Sequence, residues 1–104
     1  MNKRVHEAAA LEPTEDGRAR VVGSLGFSTV NALLSAGSDA IRRGQAGVID
    51  LAGVTDSDSA GLALLIEWLS VAHGAGQSLR YDNVPSQLHQ LARLSEVEEL
   101  IAVG

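Results

Sequence analysis

Residues 47–69 read GVIDLAGVTDSDSAGLALLIEWL. A short apolar run over residues 48–51 gives way to a small polar turn at 55–58, after which Ser59, Ala60 and Gly61 open a long apolar helix. A strand feeding such a turn leaves the first backbone N–H groups of the helix at one exposed edge, where they lack intrahelical partners. The helix dipole adds partial positive charge there. Ser59 is the natural N-cap of this helix and also a hydroxyl on display. Function is expected to read from that edge.

Working outward, a chain of 104 residues fits a single domain spanning 1–104, with a polar, frayed N-terminus over 1–7. A hydrophobic content of 45% is that of a globular chain. Phe27, Trp68 and Tyr81 are the only aromatic residues, so the core is built from Leu, Val, Ile and Ala. The chain has no cysteine, which removes disulfides, a thiol nucleophile and thiolate metal sites. A net charge of −5 argues against a nucleic-acid partner. The apolar stretch at 61–66 is far too short for direct membrane insertion, and Lys3 and Arg4 are not followed by the apolar core of a signal peptide. A cytoplasmic location is the expectation.

On the N-terminal side, residues 8–11 suggest a short strand. Pro13, Thr14, Glu15, Asp16 and Gly17 form a turn cluster, and residues 18–25 alternate with period two. Together they predict an antiparallel hairpin. Residues 27–43 change to a helical period, with Phe27, Val30, Leu33, Leu34 and Ile41 near one stripe and Ser28 or Thr29 as N-cap. Gly37 interrupts this pattern and Gly44 ends it. Residues 46–51 predict a central strand and Gly53 an exit loop.

In the helix that follows, residues 59–73, Leu62, Leu65, Ile66 and Leu69 fall on one stripe. Leu64, Trp68 and Val71 form a second stripe, which either packs inside the domain or meets a partner. Residues 78–81 predict a last strand, with helices over 86–94 (Leu88, Leu91, Ala92 and Leu94 on one side) and 96–103. Strands joined through helices imply parallel neighbours, so the fold class is α/β: a mixed four- to five-stranded sheet with packed α-helices.

Catalytic patterns are weak. His6, His73 and His89 have no metal-ligand spacing, no glycine-rich phosphate loop is present, and no cofactor is implied. Asp56 and Asp58 are paired carboxylates, but acid–base work needs a raised pKa and hence burial, and a loop of small polar residues gives no sign of it. Their plainer role is to support the helix start. Ser59 has no neighbouring base to activate it, so it reads as a structural cap or as a contact or phosphoacceptor hydroxyl, not as a nucleophile.

Val48, Ile49, Asp50 and Leu51, then Val54, then Asp58, Ser59, Ala60, Gly61 and Leu62 resemble the STAS domain signature, in which a strand ending in a D-S/T-x-G-L turn leads into the second helix. The resemblance covers most of the chain. Two branches of that family are similar to it. In anti-sigma factor antagonists the motif Ser or Thr is phosphorylated by a partner kinase; Ser59 matches that acceptor, while Ala60 departs from the second Ser common there. The MlaB branch comprises cytosolic STAS subunits of phospholipid-transporting ABC complexes that maintain outer-membrane lipid asymmetry. The chain also resembles it beyond the signature, at Glu67, Trp68 and Leu69, at Leu79, Arg80 and Tyr81, at Asn83, Val84 and Pro85, and through Leu91 to Ser95.

The second resemblance implies a non-enzymatic subunit, peripheral at the inner membrane through its partner. That partner would be the MlaF-like ABC ATPase of a permease complex. The implied partner-binding residues are Thr55, Asp56, Ser57, Asp58, Ser59, Ala60, Leu62 and Ala63. The first resemblance implies Ser59 as a phosphoacceptor.

Overall fold

A computed structural model describes residues 9–101. The expected N-terminal fray over 1–7 and the last residues of the expected closing helix lie outside that range. The chain order is β1 (Ala9–Pro13), β2 (Arg18–Leu25), α1 (Val30–Arg42), β3 (Val48–Ser57), α2 (Ser59–Gly74), β4 (Arg80–Asp82), α3 (Ser86–Leu94) and α4 (Glu98–Ile101). The strands form a four-stranded mixed sheet in the order β1-β2-β3-β4. β1 and β2 are the expected antiparallel hairpin, closed by Gly17 at φ +70°, and β2-β3 and β3-β4 are parallel. β3 is central, as its apolar sequence predicts.

Strand alternation gives the sheet two unlike faces. Ala19, Val21, Leu25, Ile49, Leu51 and Tyr81 are buried in the single hydrophobic core. The other face carries a polar network. Arg20 Nε donates to Glu12, Arg18 and Arg80 both donate to the Asp82 carboxylate, and Asn83 donates to Asp50. Parallel neighbours joined through helices cross over right-handed, which places α1 and α2 on the same side of the sheet.

β3 runs six residues past its expected end. The stretch 55–58 is not a turn: the strand continues to Ser57, and Asp58 alone separates strand from helix. The cause is tertiary. β2 reaches far enough to pair Ser24 with Asp56 and Leu25 with Ser57, and two register shifts let β3 fit in two extra residues opposite β2. Small polar residues with weak strand propensity are held there by the ladder and not by their own preference. Gly53 is therefore not an exit loop; a Cβ there would lie 2.8 Å from Val22 Cγ1.

α2 packs both of its apolar stripes inward. Leu62, Leu64, Leu65 and Trp68 are buried, and Ile66, Leu69 and Val71 are packed against the core. Gly37 does not interrupt α1. It is buried beneath the Trp68 indole, where a side chain would overlap the ring, and Trp68 Nε1 donates to the Leu34 carbonyl. Tyr81 Oη donates to the Leu65 carbonyl at 2.6 Å, tying β4 to the middle of α2. Burial pushes the Tyr81 phenol far above its ordinary range.

Two expected core residues are exposed instead: Phe27 at 85% and Leu94 at 82%. α1 starts only at Val30, so Phe27 sits in the loop before it and the helical stripe never includes it. Leu94 ends α3, where Leu88 and Ala92 carry the burial.

Candidate functional site

The corner between β3 and α2 is organised by Asp58. Its Oδ1 accepts from the backbone N–H groups of Ala60 (2.9 Å) and Gly61 (3.2 Å), which makes Asp58, and not Ser59, the N-cap of α2. Asp58 has extended backbone angles, as an N-cap requires, whereas Ser59 is already the first helical residue. The other oxygen, Oδ2, accepts from the N–H of Phe27 at 3.1 Å. One carboxylate thus joins the β2–α1 loop to the start of α2. Both glycines beside it are tight: a Cβ at Gly26 would lie 2.8 Å from Asp58 Oδ2, and one at Gly61 would overlap the Leu25 carbonyl oxygen.

The neighbouring Ser57 is buried, and its N–H and hydroxyl both donate to Gln87 Oε1, at 3.2 and 3.3 Å. That bond fixes the start of α3 to the end of β3. Leu62 is buried as well. Of the eight residues expected to meet a partner, Ser57 and Leu62 therefore face the interior. Thr55, Asp56, Ser59 and Ala63 are exposed, Ala60 is half-buried, and Asp58 is at the surface with its oxygens committed to backbone N–H groups.

Ser59 projects from the first turn of α2, and its hydroxyl makes no hydrogen bond among the described residues. Among the described residues Asp56 accepts only from the adjacent Thr55 hydroxyl, at 3.3 Å. Among the described residues no group of three or more His, Asp or Glu side chains could hold a metal ion. No helix there is long and apolar enough to cross a membrane. What the corner offers chemically is an accessible hydroxyl at the positive end of a sixteen-residue helix, next to two carboxylates.

Beside the corner a groove of about 270 Å³ runs between α1 and α2, with Val30, Leu34, Ala60, Ala63 and Leu64 as its apolar lining and Glu67 on its edge. It continues past Glu67 to Ser38, Asp39, Arg42 and Val71. Neither Phe27 nor this groove was legible as a site in the sequence. The periodicity assigns Phe27 to the buried stripe of α1, and Leu64 to a stripe whose outer margin only the packing of two helices defines.

The family model described as MlaB, STAS domain, matches residues 9–102. The chain belongs to the MlaB STAS domain family. No curated protein sequence matches it. Its fold is similar to that of the Bacillus cell fate determinant SpoIIAA in the phosphorylated form, at 17% identity and a TM-score of 0.66, over 90% of this chain and 88% of that one. The anti-sigma factor antagonist SpoIIAA in its unphosphorylated form gives 18% identity and a TM-score of 0.64, over 84% and 83%. At this identity the likeness is one of fold. The four-stranded mixed sheet with four helices is the STAS architecture, and the MlaB-type STAS domain is the frame on which the corner is presented.

Proposed function

We propose that this STAS domain is a non-enzymatic cytoplasmic subunit that binds and supports the ATPase of a phospholipid-transporting ABC complex of the Mla type. It would dock through the corner at the start of α2 and sit peripherally at the inner membrane through that partner. The observation that carries this reading is the division of labour between two adjacent residues. Asp58 does the structural work of capping, which leaves Ser59 exposed and structurally dispensable on a rigid edge. The match to the MlaB family model supports this class of partner. Tagged protein recovered from detergent extracts of its own cell, followed by mass spectrometry, tests it: an MlaF-like ABC ATPase and its permease are expected. Their absence from a preparation that is folded and abundant would contradict the proposal.

A second reading, an anti-sigma factor antagonist switched by phosphate on Ser59, is favoured by one observation: the Ser59 hydroxyl is open to a kinase. A phosphate there would add about −2 charge beside Asp56 and Asp58, favoured by the dipole and opposed by the carboxylates. Intact mass after incubation with an anti-sigma kinase and ATP separates the two readings. A gain of one phosphate that Ser59→Ala abolishes supports the switch, and an unchanged mass removes it.

A further inference from the structure

Phe27 is the most exposed large apolar side chain among the described residues, yet it stands on a loop tied down by hydrogen bonds. Its N–H donates to Asp58. The preceding Gly26 donates to Thr29 Oγ1 at 3.1 Å, Thr29 Oγ1 donates to the Ser24 carbonyl at 2.9 Å, and Thr29 N and Val30 N both donate to the Gly26 carbonyl. An aromatic ring with two side-chain torsions on a fixed loop loses little freedom when it is covered, which is the property of a binding anchor. An isolated exposed ring carries little meaning. This one stands at the α2 start, where the apolar groove between α1 and α2 also begins.

Charge adds a third observation. Asp56 and Asp58 flank the start of α2 and Glu67 lies further along the helix on the groove edge, where it makes no ion pair or hydrogen bond among the described residues. Among the described residues Arg18, Arg20 and Arg80 lie on the open sheet face, Arg93 on α3, and Arg42 and Arg43 at the far end of α1, where Arg42 lines the continuation of the groove. The arginine that lines the far end of the channel, Arg42, is paired with Asp39 at 3.9 Å, and Glu67 stands on the edge of the apolar stretch; an apolar channel with that acidic margin is complementary to an amphipathic basic helix.

We propose that Phe27 and the α1–α2 groove form one docking face for a basic, apolar-ridged helix of the partner protein, with Phe27 as its anchor. The inference rests on the reading of the corner as a docking site for an ABC ATPase and extends the footprint along α2 toward Glu67. The full-length protein and the ATPase of its own cell, purified separately, are titrated by calorimetry. Phe27→Ala is expected to weaken binding at least about thirtyfold, the range of an interface hot spot. Phe27→Leu should recover most of that loss. Glu67→Arg should weaken binding about tenfold and flatten its salt dependence. Leu94→Ala, at an equally exposed apolar residue on α3, should bind as wild type. A photo-crosslinking amino acid at Ala63 should capture a helical segment of the ATPase carrying Lys or Arg.

If Ser59→Arg abolishes binding while Phe27→Ala and Glu67→Arg bind at wild-type strength, the face is confined to the corner. The inference then fails and the reading beneath it stands. Capture of an acidic or non-helical segment at Ala63 would overturn the proposed occupant. No binding by the wild-type pair would overturn both.

Discussion

Asp58 is the residue on which the local structure depends. It satisfies two otherwise orphaned donors of α2 and one of the β2–α1 loop with a single carboxylate. Asp58→Ala should lower stability by about 1–2 kcal/mol, the cost of a lost cap and a lost hydrogen bond. Ser59→Ala, at an exposed position with no partner, should stay within about 0.5 kcal/mol of wild type. Urea unfolding followed by far-ultraviolet circular dichroism measures both. Equal costs for the two variants would place the cap on Ser59 after all.

Tyr81 makes a pH prediction at the same scale. Its phenol is pushed up by burial, so the folded state keeps its proton where the unfolded chain, at an ordinary pKa of about 10, gives it up. The unfolded state then binds fewer protons, and stability should fall as pH rises above about 10. Tyr81→Phe should flatten that alkaline fall while costing about 1 kcal/mol at neutral pH through the lost bond to the Leu65 carbonyl. An alkaline limb identical in both proteins would contradict this assignment.

At the scale of elements, two helical glycines of α2 give opposite predictions. In helix propensity Gly→Ala gains about 1 kcal/mol. At Gly74 a Cβ meets nothing within 4 Å, so Gly74→Ala should stabilise by a few tenths to about 1 kcal/mol. At Gly61 the Cβ would fall on the Leu25 carbonyl, a strand backbone atom that cannot yield, so Gly61→Ala should destabilise by about 1–3 kcal/mol. Thermal melts of the pair decide it, and a stabilising Gly61→Ala would mean that α2 does not lie against the end of β2. On the open sheet face, the Arg80 bond, with Arg18 behind it, holds the Asp82 carboxyl below the usual carboxylate range. A depressed folded pKa gives stability that is present above about pH 4, the ordinary value, and is lost as pH falls below it. The acid limb of a stability–pH profile should therefore be shallower in Asp82→Asn than in wild type.

Elements whose signals are local were legible from the sequence: the Asp16-Gly17 hairpin, the apolar face of α2, the order of strands and helices. The end of β3 was not, because residues 55–57 are held in the sheet by β2 and by two register shifts that leave no mark in the pattern of β3 itself. Gly37 was misleading for a related reason. Its absent side chain makes room for Trp68, thirty-one positions away, and does not weaken α1. The strand-to-helix corner was legible from the motif, but the identity of its cap depends on where α2 starts and the exposure of Phe27 on where α1 starts, which no periodicity resolves to one residue.

For the whole molecule, the faces divide their tasks. One side of the sheet holds the core with α1 and α2, and its other side is closed by ion pairs such as Glu12–Arg20 and Arg18–Asp82. Asp56 and Asp58 stand at the α2 start, while among the described residues the arginines lie on the open sheet face, on α3 and at the far end of α1. Such a distribution would orient the proposed basic partner toward the corner and make association faster at low salt. The proposed complex should accordingly lose on-rate, more than it gains off-rate, as ionic strength is raised from about 50 to 500 mM; a salt-independent on-rate would contradict the electrostatic part of this account.

The most direct measurement is the affinity of the purified protein and its Ser59→Arg variant for the ABC ATPase of the same cell, with the melting temperature of each measured alongside. Arginine at this position adds bulk and positive charge where the helix dipole and the partner are both unfavourable to it. The expected result is a loss of binding of at least about a hundredfold with the fold intact, since Asp58 and not Ser59 carries the cap. Native-strength binding by a folded Ser59→Arg variant would show that the partner is held elsewhere on the domain.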